Sequence, residues 1–157
     1  MKALRNENSQ KLMDALQRTV FAVLDTMAMS EIEFLGVETQ RDFALDGEAN
    51  GVIHLTGGHQ GLVGVSTDGI LAQLLVGGIT GLNPADLTRE DLLDGMGELA
   101  NMICGGMKTK SELGQIDLSA PLCLIGADCY GLWKTEHATH VMRFKVDERV
   151  LKVLASV

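Results

Sequence analysis

Four glycines sit inside the stretch of this chain with the clearest helical spacing. Gly95, Gly97, Gly105 and Gly106 lie among Met96, Leu99, Ile103 and Met107, apolar residues that gather on one side at about 100° per residue. Each glycine costs a helix interior roughly 0.8–1 kcal/mol against alanine, so four cost roughly 3–4 kcal/mol if simply added. A helix that keeps them must need small residues. Close packing of another helix suits Gly95 and Gly97, which flank Met96. Close approach of a visiting surface suits Gly105, which falls on the opposite, polar side.

That polar side holds Asp94, Glu98 and Asn101, within about 60° of one another around the helix. Two readings are open. Two carboxylates and a carboxamide can be an ordinary solvated helix face. They can also be a site that acts on a molecule docked against the helix. Asn101 favours the second, because asparagine is a middling-to-poor helix former and an exposed interior position has no reason to prefer it.

The surrounding pattern predicts an α+β domain spanning residues 1–157. A mostly antiparallel sheet carries a long N-terminal helix, a short helix and the long motif-bearing helix. The first helix is predicted to start near Ser9, with Leu12, Leu16, Thr19, Val20, Val23 and Met27 as its apolar stripe. Strands are expected at 31–37, 49–56 and 61–66, the last two joined as a hairpin by Gly57-Gly58-His59-Gln60. Thr67 or Asp68 caps a short helix that Gly77-Gly78 ends. Thr88-Arg89-Glu90-Asp91 has the form of a capping box, with Asp where Glu is usual. It opens the motif helix, which should run to about Leu113 and stop at Gly114. A strand follows at 118–125. Met142, Phe144 and Val146 alternate, as do Leu151, Val153 and Ala155, with Asp147-Glu148 between them; this predicts a closing hairpin.

Composition removes several function classes. A net charge of −8 argues against nucleic acid, which needs clustered Lys and Arg. No basic run suggests a membrane surface, and no continuous apolar run suggests insertion into one. No secretory signal is visible. Cys104, Cys123 and Cys129 show no CxxC spacing, and an odd, scattered count fits packing residues in a reducing cytoplasm.

Asp94-x3-Glu98-x2-Asn101, followed by Gly105 and Lys108, resembles the signature of the CheC/CheX/FliY chemotaxis phosphatases. Leu118-Ser119-Ala120-Pro121-Leu122-Cys123-Leu124-Ile125-Gly126 resembles the strand segment that follows that helix in CheX-type members. The resemblance implies a CheC-like fold and hydrolysis of the aspartyl phosphate of a response regulator, a CheY-like receiver domain. It implies that Asn101 orients the attacking water and that Glu98 pairs with the regulator's active-site lysine. It puts Asp94 at the docking rim, and Gly105, where the missing side chain lets a surface come close, is the second partner-binding candidate. The phosphatase then has no cofactor of its own, and Mg²⁺ belongs to the receiver. CheC-type members repeat the motif on the first helix. Here that helix offers only Asp14-Ala15-Leu16-Gln17, which points to the CheX type and to a homodimer paired through sheet edges. Two other classes stay open: a non-catalytic domain that docks a receiver or a flagellar-switch component, and a small ligand-binding α+β domain.

Other candidates are weaker. His137 and His140 have HxxH spacing, but odd spacing on or beside a strand sends them to opposite faces. The Gly57–Gly61 run matches neither GxxxxGK[ST] nor GxGxxG, and a turn explains it. Ser66 and Ser119 lack any nucleophile context. Tyr130 and Trp133, in a loop-like segment, are candidates for core anchors or an interface.

Overall fold

The computed structural model describes residues 2–27, 29 and 31–157. Helix α1 (Lys2–Thr26) buries Leu12, Leu16, Thr19, Val20 and Val23, and Met27 is buried just past its end. It starts at Lys2 and not near Ser9. The added turns are exposed, so no apolar stripe marks them.

Seven strands form the main antiparallel sheet. They are β1 (Ile32–Gln40), β3 (Ala49–Gly57), β4 (Gly61–Thr67), β5 (Ile116–Leu118), β6 (Leu122–Ile125), β8 (Thr139–Val146) and β9 (Arg149–Ser156). The order is β1-β8-β9-β4-β3, with both β5 and β6 on the outer side of β3. The closing hairpin turns at Asp147 and Glu148, both with positive φ (45° and 72°). Two such residues match the right-handed twist of the strands they join.

Helix α2 (Gly69–Thr80) is capped by Asp68, whose side chain accepts from the Leu71 N–H. Gly77-Gly78 does not end it. The helix runs through both and stops at Gly81, which is left-handed with φ 74°. A Cβ on Gly77 would lie 2.9 Å from Pro84 Cγ, and one on Gly78 would lie 3.0 Å from Met27 Cβ. These glycines serve close packing.

Helix α3 (Arg89–Ser111) has the predicted capping box. Thr88 Oγ1 accepts from the Asp91 N–H at 3.1 Å, and Asp91 Oδ2 accepts from the Thr88 N–H at 2.9 Å. Its end comes slightly early: Glu112 adopts the left-handed cap and Gly114 follows with φ 79°. Met96, Leu99, Ile103 and Met107 are fully buried in the core shared by the three helices and the sheet. At roughly 1.5–3 kcal/mol each, their burial outweighs the glycine cost by about 1.5-fold to fourfold.

Two short strands were not legible in advance. β2 (Phe43–Leu45) pairs with β7 (Gly131–Trp133) as a flap. Phe43, Leu45 and Trp133 join Val52, Val141 and Leu154 in a second, smaller core, made of strand residues alone. Trp133 meets Phe43 edge-on, with ring centroids 5.6 Å apart. Trp133 is thus a core anchor, whereas Tyr130 is exposed.

The single strand expected at 118–125 is two. β5 and β6 flank a break at Ser119-Ala120-Pro121. Proline brings no N–H to a ladder. Ser119 bridges the gap: its backbone N–H donates to the His54 carbonyl, and its hydroxyl accepts from the His54 N–H. The break turns Pro121 toward α3, with its Cγ 3.2 Å from where a Gly97 Cβ would stand.

Candidate active site

α3 presents Asp94, Glu98 and Asn101 to solvent while the residues between them are buried. Beside this stripe runs a shallow groove of about 310 Å³, lined by Leu93, Asp94, Gly97, Glu98, Asn101, Pro121 and Cys123. One wall is the helix. The other is the start of β6 with the proline before it. Gly97 is therefore not a helix–helix contact, as its place beside Met96 suggested. It lies against Pro121 and Cys123, so its missing side chain shapes the groove. The helix–helix contacts belong to Gly95, against Val76 of α2, and Gly106, against Thr19 of α1.

Gly105 differs from the other three. A Cβ there would meet nothing within 4 Å. Among the described residues no contact asks for glycine at this position, which leaves a gap in the stripe one turn beyond Asn101.

The N-terminal half of the stripe is acidic. Glu90, Asp94 and Glu98 are exposed and spaced i, i+4, an arrangement that costs an isolated helix a few tenths of a kcal/mol per pair. Among the described residues none of the three carboxylates has an ion-pair partner. The Asn101 side chain likewise has no hydrogen-bond partner among them. These groups are free to meet another molecule. Glu90 was missed in the sequence, although its spacing from Asp94 made it visible.

Cys123 lines the same groove. Burial first, and then the nearby Asp94 carboxylate, push its thiol above the usual cysteine range. A cysteine nucleophile needs the thiolate, so at neutral pH this group is a wall and not an attacking atom. Burial pushes Cys104 to about 12, and it stays in the core.

The histidines fall elsewhere. His137 contacts Arg5 of α1, while His140 sits 3.4 Å from the Thr39 hydroxyl on β1. Among the described residues no group of three His, Cys, Asp or Glu side chains converges. Ser66 donates to Asn50 Oδ1 at 2.7 Å and accepts from the Gly47 N–H, a structural role beneath the sheet end. Among the described residues, no helix is long and apolar enough to cross a membrane.

The family model for the chemotaxis phosphatase CheX matches residues 49–145, a segment that includes the whole of α3 and both groove walls. The chain belongs to the CheX family. In sequence, no curated protein matches it. Among solved structures, the chain is similar to the chemotaxis protein CheX from Vibrio vulnificus, with 24% identity, coverage of 92% of this chain and 97% of that one, and a TM-score of 0.79. CheX from Desulfovibrio desulfuricans gives 22%, 95% and 97%, and 0.76. A CheX–CheY–BeF3–Mg²⁺ complex from Borrelia burgdorferi gives 16%, 94% and 95%, and 0.68. At these identities the likeness concerns the CheX fold. It agrees with the α+β architecture built above.

Proposed function

We propose that this CheX-family chain hydrolyses the aspartyl phosphate of a CheY-like receiver domain in the cytoplasm, with Glu98 and Asn101 as its catalytic residues. One observation carries the proposal. The side chains of Glu98 and Asn101 stand exposed and unpartnered among the described residues on a helix, beside a groove of about 310 Å³ and an open position at Gly105. The Borrelia CheX, crystallised with CheY and BeF3, supports the choice of partner.

The chemistry asks little of the phosphatase. An acyl phosphate already has a good leaving group, and phosphoryl transfer proceeds mainly by positioning and charge stabilisation. The Asn101 amide has one acceptor and two donors. It holds a water in line with the phosphorus. The water oxygen bonds to phosphorus as the bond to the aspartyl oxygen breaks, giving inorganic phosphate and a free carboxylate. Glu98 pairs with the receiver's active-site lysine and fixes the approach of Asn101. Asp94 and Gly105 form the docking rim. Mg²⁺ is held by the receiver, and this chain contributes no cofactor.

Phosphate release from phosphorylated receivers tests this directly. Glu98→Gln should lower turnover at subsaturating receiver by about tenfold, in the range of a rim charge whose partner loses its pairing. The wild-type reaction should slow as salt rises, because exposed charges are screened over about 8–10 Å at physiological strength. A Glu98→Gln variant that matches wild type at every salt concentration would return Glu98 to the role of a solvated helix residue.

The same placement bears on assembly. The groove lies at the β6 side of the sheet, and β1 is the opposite edge. β1 leaves Leu35 and Val37 exposed, at 48% and 53%, beside an unpaired row of backbone groups. We propose a homodimer joined along β1, which leaves both α3 stripes open. Light scattering should give a mass twice that of the chain, and Val37→Lys should shift it toward monomer while phosphatase activity persists. A monomeric wild type, or a dimer that covers Asn101, would refute this arrangement.

A further inference from the structure

We infer that Lys108 is a second electrostatic anchor for the receiver, one that takes an acidic side chain on its surface. The inference rests on the receiver-phosphatase proposal above and adds a residue and a docking polarity to it. Lys108 lies two turns beyond Asn101 on α3, about 10 Å along the axis and within about 20° of it around the helix. It is exposed, and among the described residues it has no ion-pair partner.

Its neighbours give that position meaning. Side chains on a helix lean toward the N-terminus and cover the turn before their own Cα. For Lys108 that turn is the one holding Gly105, where a Cβ would meet nothing within 4 Å. No atom of Lys108 comes within 4 Å of that position, so the gap stays open and a docked surface can enter it beside the Lys108 ammonium. The stripe then runs from three free carboxylates, Glu90, Asp94 and Glu98, through a neutral amide to a free ammonium. A partner with a cation at one end of its contact and an anion at the other fits it in one direction only. Reversed docking brings like charges together and is penalised. The receiver supplies the lysine that Glu98 meets; the matching acid lies on the far side of its phosphorylated aspartate.

Lys108 and Lys110 both lie in the last turn of α3 and both complement the helix dipole. A dipole role therefore predicts the same effect for either. Lys110 is exposed but points about 160° away from the Lys108 side of the helix, which makes it the control.

The test measures phosphate release from a phosphorylated CheY-like receiver at varied receiver concentration for wild type, Lys108→Gln, Lys108→Glu and Lys110→Glu. Lys108→Glu should raise KM about threefold to tenfold with kcat within twofold of wild type, as for a rim charge set against a like charge. Lys108→Gln should raise KM less and flatten its salt dependence. Lys110→Glu should leave KM unchanged. Equal effects at 108 and 110, an unchanged KM in Lys108→Glu, or a loss in kcat alone would overturn the anchor while the phosphatase proposal stood. An inactive wild type would overturn the phosphatase proposal instead. Binding of the beryllofluoride-loaded receiver then decides for Lys108: a weaker Kd in Lys108→Glu supports it, and no binding by wild type overturns both.

Discussion

Asn101→Ala should lose about 100- to 1000-fold in dephosphorylation rate, the usual cost of removing one preorganised hydrogen-bonding group at a reacting centre. Fold and partner affinity should hardly change. The Asn101 side chain is exposed and makes no hydrogen bond within the described residues, so its removal strands nothing. Alanine is also the better helix former, by about half a kcal/mol. The variant should therefore melt at or slightly above the wild-type temperature while failing to turn over. That combination separates a catalytic asparagine from a structural one. Asn101→Asp sharpens the comparison. It keeps the shape but loses both donors and adds a fourth carboxylate to an acidic stripe, so it should be at least as slow as alanine and should bind the receiver more weakly. Wild-type turnover in Asn101→Ala would remove Asn101 from the chemistry.

The parts of this molecule that could be read in advance are those set by local rules. The Thr88–Asp91 box lies within four residues, and the stripe of Met96, Leu99, Ile103 and Met107 follows from one helical period. The closing hairpin was legible because alternation on both sides enclosed a two-residue turn. What failed depended on distant neighbours. Phe43–Leu45 and Gly131–Trp133 are too short to show a period of two, and each is a strand only because the other is present. Gly77-Gly78 has two physical uses, stopping a helix or admitting a neighbour. Only Pro84 and Met27 decide between them. The same ambiguity hid the groove. Gly97 looked like a helix–helix contact until Pro121 and Cys123 appeared against it. The sign was present in its angle, about 60° from Asp94 and so at the margin of the polar stripe. The exposure of Asp94, Glu98 and Asn101 followed from the wheel; their work on a phosphorylated partner is a matter for the assay.

Gly95→Ala should destabilise the fold by about 1–3 kcal/mol, the usual range for overpacking a well-filled core. The sign is not obvious, because propensity alone favours alanine by roughly 0.8–1 kcal/mol at a helix interior. Contact distance decides. A Cβ on Gly95 would overlap both methyls of Val76 and stand 2.9 Å from its Cβ. Valine in a helix has one strongly preferred rotamer, so the methyls cannot swing aside. α2 and α3 must separate, and Val76 and Gly95, both buried, lose packing together. Gly105→Ala provides the internal contrast, since its Cβ would meet nothing within 4 Å. There propensity acts alone, and the variant should gain up to about 1 kcal/mol. Two alanines ten residues apart on one helix should thus shift the melting temperature in opposite directions. Adding Val76→Ala to Gly95→Ala should recover part of the loss, because it removes the methyls in the way, and the two substitutions should couple by more than about 0.5 kcal/mol. Additive losses would mean that α2 and α3 do not meet through this pair. A neutral Gly95→Ala would mean that the helices yield more easily than a close-packed interior allows.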